Sequence, residues 1–531
     1  MKRGSLLIKK MIHYVLKIKD SEALSFFLFF RYNKKNMGRR EEQVELNQQQ
    51  KEVVETIEGP LLILAGAGSG KTTVAIQRIV HLIETGVEPG RILAVTFTNE
   101  AVNELKERLE QAIGEEKAKE VWIHTFHSLC TRILKEENRE GFKIVDEFES
   151  LRLMNQLVMK QRYDRKMAED IYKNISAFKS EMVSPKALAT NHSSNDYIDW
   201  EKVKNMRKSM KYYMETVDLY PLYQKALKEK RSLDLDDLVL VVVRLLLSNP
   251  SMLEKYQEKF QFITADEFQD TNKVQYVLLK LLTNKYQNFA AVGDDFQSIF
   301  GFRNADIRNI LSFEEDFKQA KILKLEENYR STKMIVEAAH ELIKQNKKQK
   351  EKTLFTNNAK GDKIGVFEAY HHRDEVDYIV KELKKLQSKV KLDDIAILFR
   401  HHYYAKDLIQ RLDDEGIAYV VVKEMNSESL QQSGVRLMSA HSAKGLEFPH
   451  VYVIGCAENL FPSQYAKTEE LIEEERRVFY VCMTRAKEKL TLTFAKNQTF
   501  TNSKTGGRFR KQFEPSRFLS EIPTKYKQKK R

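Results

Sequence analysis

At 531 residues the chain is longer than one hydrophobic core usually organises, so about two to four domains are expected. Its 42% hydrophobic and 31% charged residues describe a soluble globular protein, and no run approaches the roughly 18 to 20 apolar residues that a membrane span needs. The net charge of +13 sits at the ends: residues 1–40 hold 11 basic against 2 acidic residues and residues 499–531 hold 10 against 2, while the body between them is slightly acidic.

Residues 1–43 read as a basic, aromatic extension without clear periodicity. Its apolar stretch, Ala23–Phe30, is short and has no small-residue cleavage site, which predicts no secretory leader and a cytoplasmic protein. The two basic ends are either arms on a phosphate backbone or solubilising tails. The organised region opens with an apolar run, Leu61–Leu64, that predicts a strand, and Val74–Ile83 predicts a helix. Between them lies Ala65-Gly66-Ala67-Gly68-Ser69-Gly70-Lys71-Thr72, with Ala65 where the strict pattern has glycine. Strand, glycine loop and helix in that order form a phosphate-binding P-loop, the alternative being a plain small-residue turn. The glycines let successive N–H groups turn toward one anion, Lys71 reaches the outer phosphates, and Thr72 offers a hydroxyl to Mg²⁺. ATP or GTP is the implied ligand.

Some 140 residues rich in Lys, Glu, Leu and Met follow, with helices expected over 148–165, 168–181 and 200–230. Within them Lys211-Tyr212-Tyr213 is either a DNA contact or part of an amphipathic core stripe. Cys130, Cys456 and Cys482 stand far apart, which argues against a zinc ribbon or a disulfide framework and for buried small hydrophobes. The run 260–265 then predicts a buried strand that delivers Asp266 and Glu267 at its end. Asp266 suits Mg²⁺, largely through water, and Glu267 suits a general base for an attacking water. A second strand, from Ala290, leads to Gln297, whose carboxamide can sense a γ-phosphate.

These blocks and those around them resemble the UvrD/Rep/PcrA type of superfamily 1 DNA helicase. In order come Leu46-Asn47-Gln48-Gln49-Gln50, the P-loop, Thr96-Phe97-Thr98-Asn99-Glu100-Ala101, Thr125-Phe126-His127-Ser128, Asp234-Leu235-Asp236-Asp237-Leu238, Asp266-Glu267-Phe268-Gln269-Asp270, and Gly293 to Arg303. Asn328-Tyr329-Arg330-Ser331, His441 to Phe448 and Glu474 to Ala486 complete the set. The resemblance implies α/β architecture: two RecA-like motor domains with parallel sheets, the first carrying a helical insertion called 1B. It also implies that Gln50 reads the adenine edge, Tyr329 stacks on the base and Glu447 meets the ribose. Arg330 and Arg477 would come from the second motor domain to neutralise the γ-phosphoryl. The implied DNA track takes in Phe97, Thr125, Phe126, His127, Phe300, Phe302, Arg303 and His441.

Two departures stand out. Thr73 occupies a position where relatives often place an arginine against the adenine. Between Tyr419 and His441 there is room for a loop over 420–434 but not for the relatives' second helical insertion, 2B. The expected division is 44–130 with 225–320 for domain 1A, 131–224 for 1B, 321–525 for 2A and a disordered basic tail over 526–531. The implied activity is an ATP-dependent 3′-to-5′ helicase or translocase that uses ATP and Mg²⁺, acts on single-stranded and tailed duplex DNA, and works without a membrane. A nuclease or repair factor is a candidate partner. The alternatives are a nucleotide-switched recruitment protein and the motor subunit of a helicase–nuclease. The stacking faces would also accept RNA.

Overall fold

The structure, a computed structural model, describes residues 45–137, 141–422, 432–501 and 508–530; the expected 1–43 extension lies outside the described residues. The first half contains β1 (Leu61–Ala65), β2 (Ile92–Thr96), β3 (Trp122–Thr125), β4 (Lys143–Val145), β5 (Ser232–Asp234), β6 (Phe262–Ala265), β7 (Phe289–Gly293) and β8 (Lys321–Leu325). Six of them form a parallel sheet in the order β3-β2-β6-β7-β1-β8, and β4 pairs with β5 apart from it. β1, β2 and β7 are buried at every residue, as strands covered by helices on both faces must be. On one face Ile76, Ile79, Leu105 and Leu109 of the helices Lys71–Glu84 and Asn99–Ile113 close the core. On the other, Leu62, Leu64 and Leu93 join a larger core that runs on into the helical insertion. Each fully buried Leu or Ile there contributes about 2 kcal/mol.

The insertion starts its helices on local signals. Asp146, Ser184, Asp199 and Asp234 each accept a hydrogen bond from a backbone N–H of the first turn. Both edges of the expected 131–224 segment fall inside helices, Phe126–Glu136 and Tyr213–Glu229. The helix expected over 200–230 is two, Trp200–Ser209 and Tyr213–Glu229, because Tyr212 takes a left-handed conformation at φ 58° and restarts the chain direction. Lys211 donates to Asp170 at 3.2 Å and Tyr213 lies edge-on to Phe178, so this triplet packs on the insertion's own helices.

The second half adds β9 (Ile364–His371), β10 (Ile395–Phe399), β11 (Tyr419–Val422), β12 (Val435–Ser439), β13 (Phe448–Val453), β14 (Ala486–Thr501), β15 (Arg508–Gln512) and β16 (Lys527–Lys529). Their order is β11-β12-β10-β13-β14-β9-β16, parallel along that path, with β15 antiparallel to β14. Two expected boundaries shift. The strand β8 pairs with β1 in the first sheet, so that sheet extends through Leu325 and not to 320. The tail expected to be disordered instead buries Tyr526 and adds β16 to the edge of β9. Val420–Val422 belong to β11, which lies in register with β12 (Tyr419↔Val435), and residues 423–431 lie outside the described residues. All three cysteines are buried free thiols. Among the described residues no helix is long and apolar enough to cross a membrane.

Candidate active site and nucleic-acid interface

Ala65 ends β1, and the loop turns at Gly68 (φ 68°) and Gly70 (φ 83°) before Lys71 opens its helix. These positive φ values are cheap only for glycine. Ser69 is buried and donates from Oγ to the Gly66 carbonyl at 2.9 Å, which holds the loop in its curve. The segment after β8 closes over it. Asn328 Nδ2 donates to the Ala67 carbonyl at 2.6 Å and Tyr329 N–H to the Gly68 carbonyl at 2.9 Å. A Cβ on Gly68 would lie 2.7 Å from Arg330 Cβ, so backbone freedom and close approach both demand glycine there. Thr72 and Thr73 are half-buried in the first turn of the helix.

β6 delivers Asp266 and Glu267 to the same end of the sheet. Glu267 sits in the left-handed region at φ 50°, a strained backbone typical of functional sites. Lys71 Nζ lies 3.0 Å from Glu267 Oε1, and Gln269 Nε2 donates to Oε2 at 2.5 Å. Burial works against the Glu267 charge, but Lys71 and Lys444 outweigh it and hold the carboxyl well below the usual range. Asp266 goes the other way: burial, then the charge of Glu267, push it up to about 6. A carboxylate this short of counter-charge and a hydroxyl in the first turn after the P-loop are the hard oxygen donors that Mg²⁺ takes while keeping much of its water shell. The residues present therefore fit that ion.

Gln297 joins the two halves of the molecule. Its Nε2 donates to Asp294 at 2.6 Å, its Oε1 accepts from Arg485 at 3.2 Å, and its carbonyl accepts from Lys444 at 2.9 Å. Arg485, in the Thr484-Arg485-Ala486 step between the helix Glu469–Met483 and β14, is fully buried, and burial lowers its pKa to about 9. Arg477 is not brought here. It donates to the Lys348 carbonyl at 2.9 Å and lies 3.5 Å from Glu473, so the arginine of this segment that bonds Gln297 is Arg485, where Arg477 was expected. Arg330 does not belong to the second sheet either. It follows β8 of the first, and its guanidinium donates outward to Glu447 at 2.5 Å and to the Thr484 carbonyl at 3.2 Å. Glu447 also pairs with Lys487 at 2.5 Å. Tyr329 keeps a half-exposed ring beside the P-loop, its hydroxyl on Glu327 at 2.8 Å. Gln50 is in the first turn of its own helix, its Oε1 accepting from Asn47 N–H at 3.0 Å. Lys352, which the sequence did not flag, is buried between Asp294 (2.5 Å) and Asp295 (2.6 Å).

The expected DNA track divides. Phe300, Phe302, Arg303 and His441 come together: Phe302 is 63% exposed, its ring 5.0 Å from His441 and 5.7 Å from the Arg303 guanidinium. Burial and then Arg400 and Arg303 lower His441 to about 3, so its ring is neutral. Phe126, by contrast, is 2% exposed and belongs to the core, where it supports the half-buried Phe97 at 5.5 Å. Thr125 is buried as the cap of the helix Phe126–Glu136, accepting from Ser128 N–H at 3.2 Å, and His127 is largely buried beside it.

A P-loop, a strand-end carboxylate pair and a glutamine bridging two parallel sheets define a nucleotide-hydrolysing motor with its site split between two halves. Family models agree: the UvrD/REP helicase N-terminal domain matches residues 46–318, and the UvrD-like helicase C-terminal domain matches 323–427 and 423–497. The ATP-dependent DNA helicase PcrA of Staphylococcus epidermidis is 34% identical over 651 aligned positions, covering 90% of this chain and 86% of that protein. PcrA of Staphylococcus aureus is 32% identical over 652 positions, with the same two coverages. The chain belongs to the UvrD/Rep helicase family. The alignments exceed the 531 residues of the chain, so these relatives carry residues that it lacks. The two C-terminal matches meet at 423–427, in the link between β11 and β12.

Proposed function

We propose that the chain hydrolyses ATP at the Lys71–Glu267 site and uses the cycle to move 3′-to-5′ along single-stranded DNA seated on Phe302, His441 and Arg303. The observation that carries this is Gln297, whose side chain is bonded at one end to Asp294 of the first half and at the other to Arg485 of the second. A group that bonds the γ-phosphate would exchange these partners, so the spacing of the two halves follows the nucleotide state. The P-loop N–H groups and Lys71 hold the phosphates, Glu267 takes the proton of the attacking water, and Arg330 with Arg485 neutralise the γ-phosphoryl oxygens. Thr72 and Asp266 would hold Mg²⁺, which would supply positive charge to the phosphate oxygens. Tyr329 stacks on the base, with Glu447 toward the ribose.

With twelve residues between Val422 and Val435, the chain lacks a second helical insertion, and duplex unwinding is expected to trail translocation. The test is steady-state ATP hydrolysis with and without single-stranded DNA, beside Glu267→Gln, followed by strand displacement from a 3′-tailed duplex. DNA-stimulated turnover that Glu267→Gln abolishes supports the proposal. Turnover indifferent to DNA overturns it in favour of a nucleotide-switched recruitment protein.

A further inference from the structure

The turn that carries the proposed DNA platform is anchored on the helical insertion. From Phe300 to Asn304 the backbone closes on itself: Arg303 N–H donates to the Phe300 carbonyl at 2.8 Å and Asn304 N–H to the Gly301 carbonyl at 2.9 Å. These bonds set the shape of the turn, while its tilt depends on what holds its exit. The exit is Asp306. Its carboxylate is 8% exposed and meets two cations, Lys202 Nζ at 2.7 Å and the Arg308 guanidinium, also at 2.7 Å. Burial works against the Asp306 charge, but Arg308 and Lys202 outweigh it and hold the carboxyl below the usual range.

Lys202 comes from the insertion, in the first turn of the helix Trp200–Ser209. Its ammonium also lies 2.5 Å from Glu181, a 2%-exposed residue just past the helix Ala168–Ser180. One lysine therefore serves two buried carboxylates, one in the insertion and one beside the platform, and neither tolerates its loss without a stranded charge. A second tie runs alongside. Arg308 donates at 3.0 Å to Asp199, the residue that caps the helix of Lys202.

We propose that Lys202 is a positioning residue for DNA: through Asp306 the helical insertion fixes the tilt at which Phe302 and Arg303 meet a single strand. A platform already held in place spares the strand the entropy of ordering it, so cutting the tie should weaken binding without abolishing it. Lys202 itself touches no phosphate in this arrangement. Its effect runs through the ring of Phe302, and that separates it both from a direct DNA contact and from a merely structural ion pair.

The proposal rests on the Phe302 platform of the proposed function. Binding of fluorescein-labelled oligo(dT) is measured across a salt series for the full-length wild type, Lys202→Met, Phe302→Ala and the double variant, with melting temperatures alongside. Lys202→Met should weaken oligo(dT) about fivefold at an unchanged slope of log affinity against log salt, and by less than about twofold once Phe302→Ala is present. Lys202→Arg, which keeps both ion pairs, should bind as the wild type does. Should Lys202→Met fold poorly, Arg308→Gln leaves Asp306 paired with Lys202, strands no buried charge, and must weaken oligo(dT) about threefold in the wild type but not in Phe302→Ala. The role of Lys202 is overturned by a fivefold loss that persists in Phe302→Ala, by a salt slope reduced by about 0.7, or by unchanged affinity in folded Lys202→Met or in Arg308→Gln. Phe302→Ala that binds as tightly as the wild type overturns the platform, and this proposal with it.

Discussion

The two sheets share parallel architecture but bring opposite charge to the cleft. From the first come Asp266, Glu267 and Asp270 after β6, and Asp294 and Asp295 after β7. From the chain beyond β8 come Lys352 ahead of β9, Lys444 after β12 and Arg485 ahead of β14. Each of these cations meets a carboxylate of the first half or a group that one holds: Lys352 meets Asp294, Lys444 meets Asp270, and Arg485 meets Gln297. A cleft closed by such pairs is one that a triphosphate can enter as a competing anion. The cations therefore belong both to the fold and to the cycle, and the experiments below separate those duties.

The largest expected effect comes from the two arginines of the helix Glu469–Met483 and its exit. Arg485→Ala should lower kcat about 10³-fold, and Arg485→Lys should not restore it, because an ammonium lacks the fixed fork that bonds Gln297 and phosphate together. Arg477→Ala removes bonds to the Lys348 carbonyl and to Glu473, both in the second half. It should act on thermal stability before chemistry. Equal losses of kcat in the two alanine variants at unchanged melting temperature would reverse the assignment.

A smaller effect compares two buried lysines. Lys352 lies between Asp294 and Asp295, and Lys179 in the insertion lies between Asp234 (2.5 Å) and Asp237 (3.0 Å). Replacing either with methionine leaves two buried carboxylates without counter-charge, at a cost of about 3 to 5 kcal/mol, read as a fall in melting temperature. Only Lys352→Met should also depress DNA-stimulated turnover, since Asp294 is the group that orients Gln297. Matching losses of turnover in both variants would make the Lys352 cluster a structural one.

These contrasts mark what the sequence could disclose. The P-loop, Asp266–Glu267 and Gln297 were legible because local rules write them: glycines where φ must be positive, and an apolar run that ends in acids. Arg477 and Arg485 differ in nothing local, and which one faces the cleft depends on how the helix Glu469–Met483 packs, as in the burial of Arg477 against Glu473. Arg485 stands at the amino end of β14, an interior strand, so the rule that sites gather at the carboxyl ends of parallel strands gave no signal for it either. The expected boundary at 320 stops short of β8 because its partner β1 lies some 260 residues earlier and no local pattern names a partner. Lys444 stood within a recognised block without a role, for its partners lie in the other half of the chain.

The smallest effect sharpens the division within the aromatic track. Phe302 is exposed and flanked by Arg303, whereas Phe126 is 2% exposed and supports Phe97 from below. Stacking of one base is worth about 1 to 3 kcal/mol, so Phe302→Ala should weaken oligo(dT) binding about tenfold. Stacking releases no counterions, so the slope of log affinity against log salt should stay as in the wild type, while Arg303→Ala should reduce it by about 0.7 if that guanidinium meets a phosphate. Phe126→Leu should lower the melting temperature and leave oligo(dT) affinity near wild type, because it removes core contacts without touching a surface a base can reach. A tenfold loss of oligo(dT) affinity in Phe126→Leu at unchanged melting temperature would mean that this half of the track opens when DNA binds, and that a buried phenylalanine is a stacking face after all.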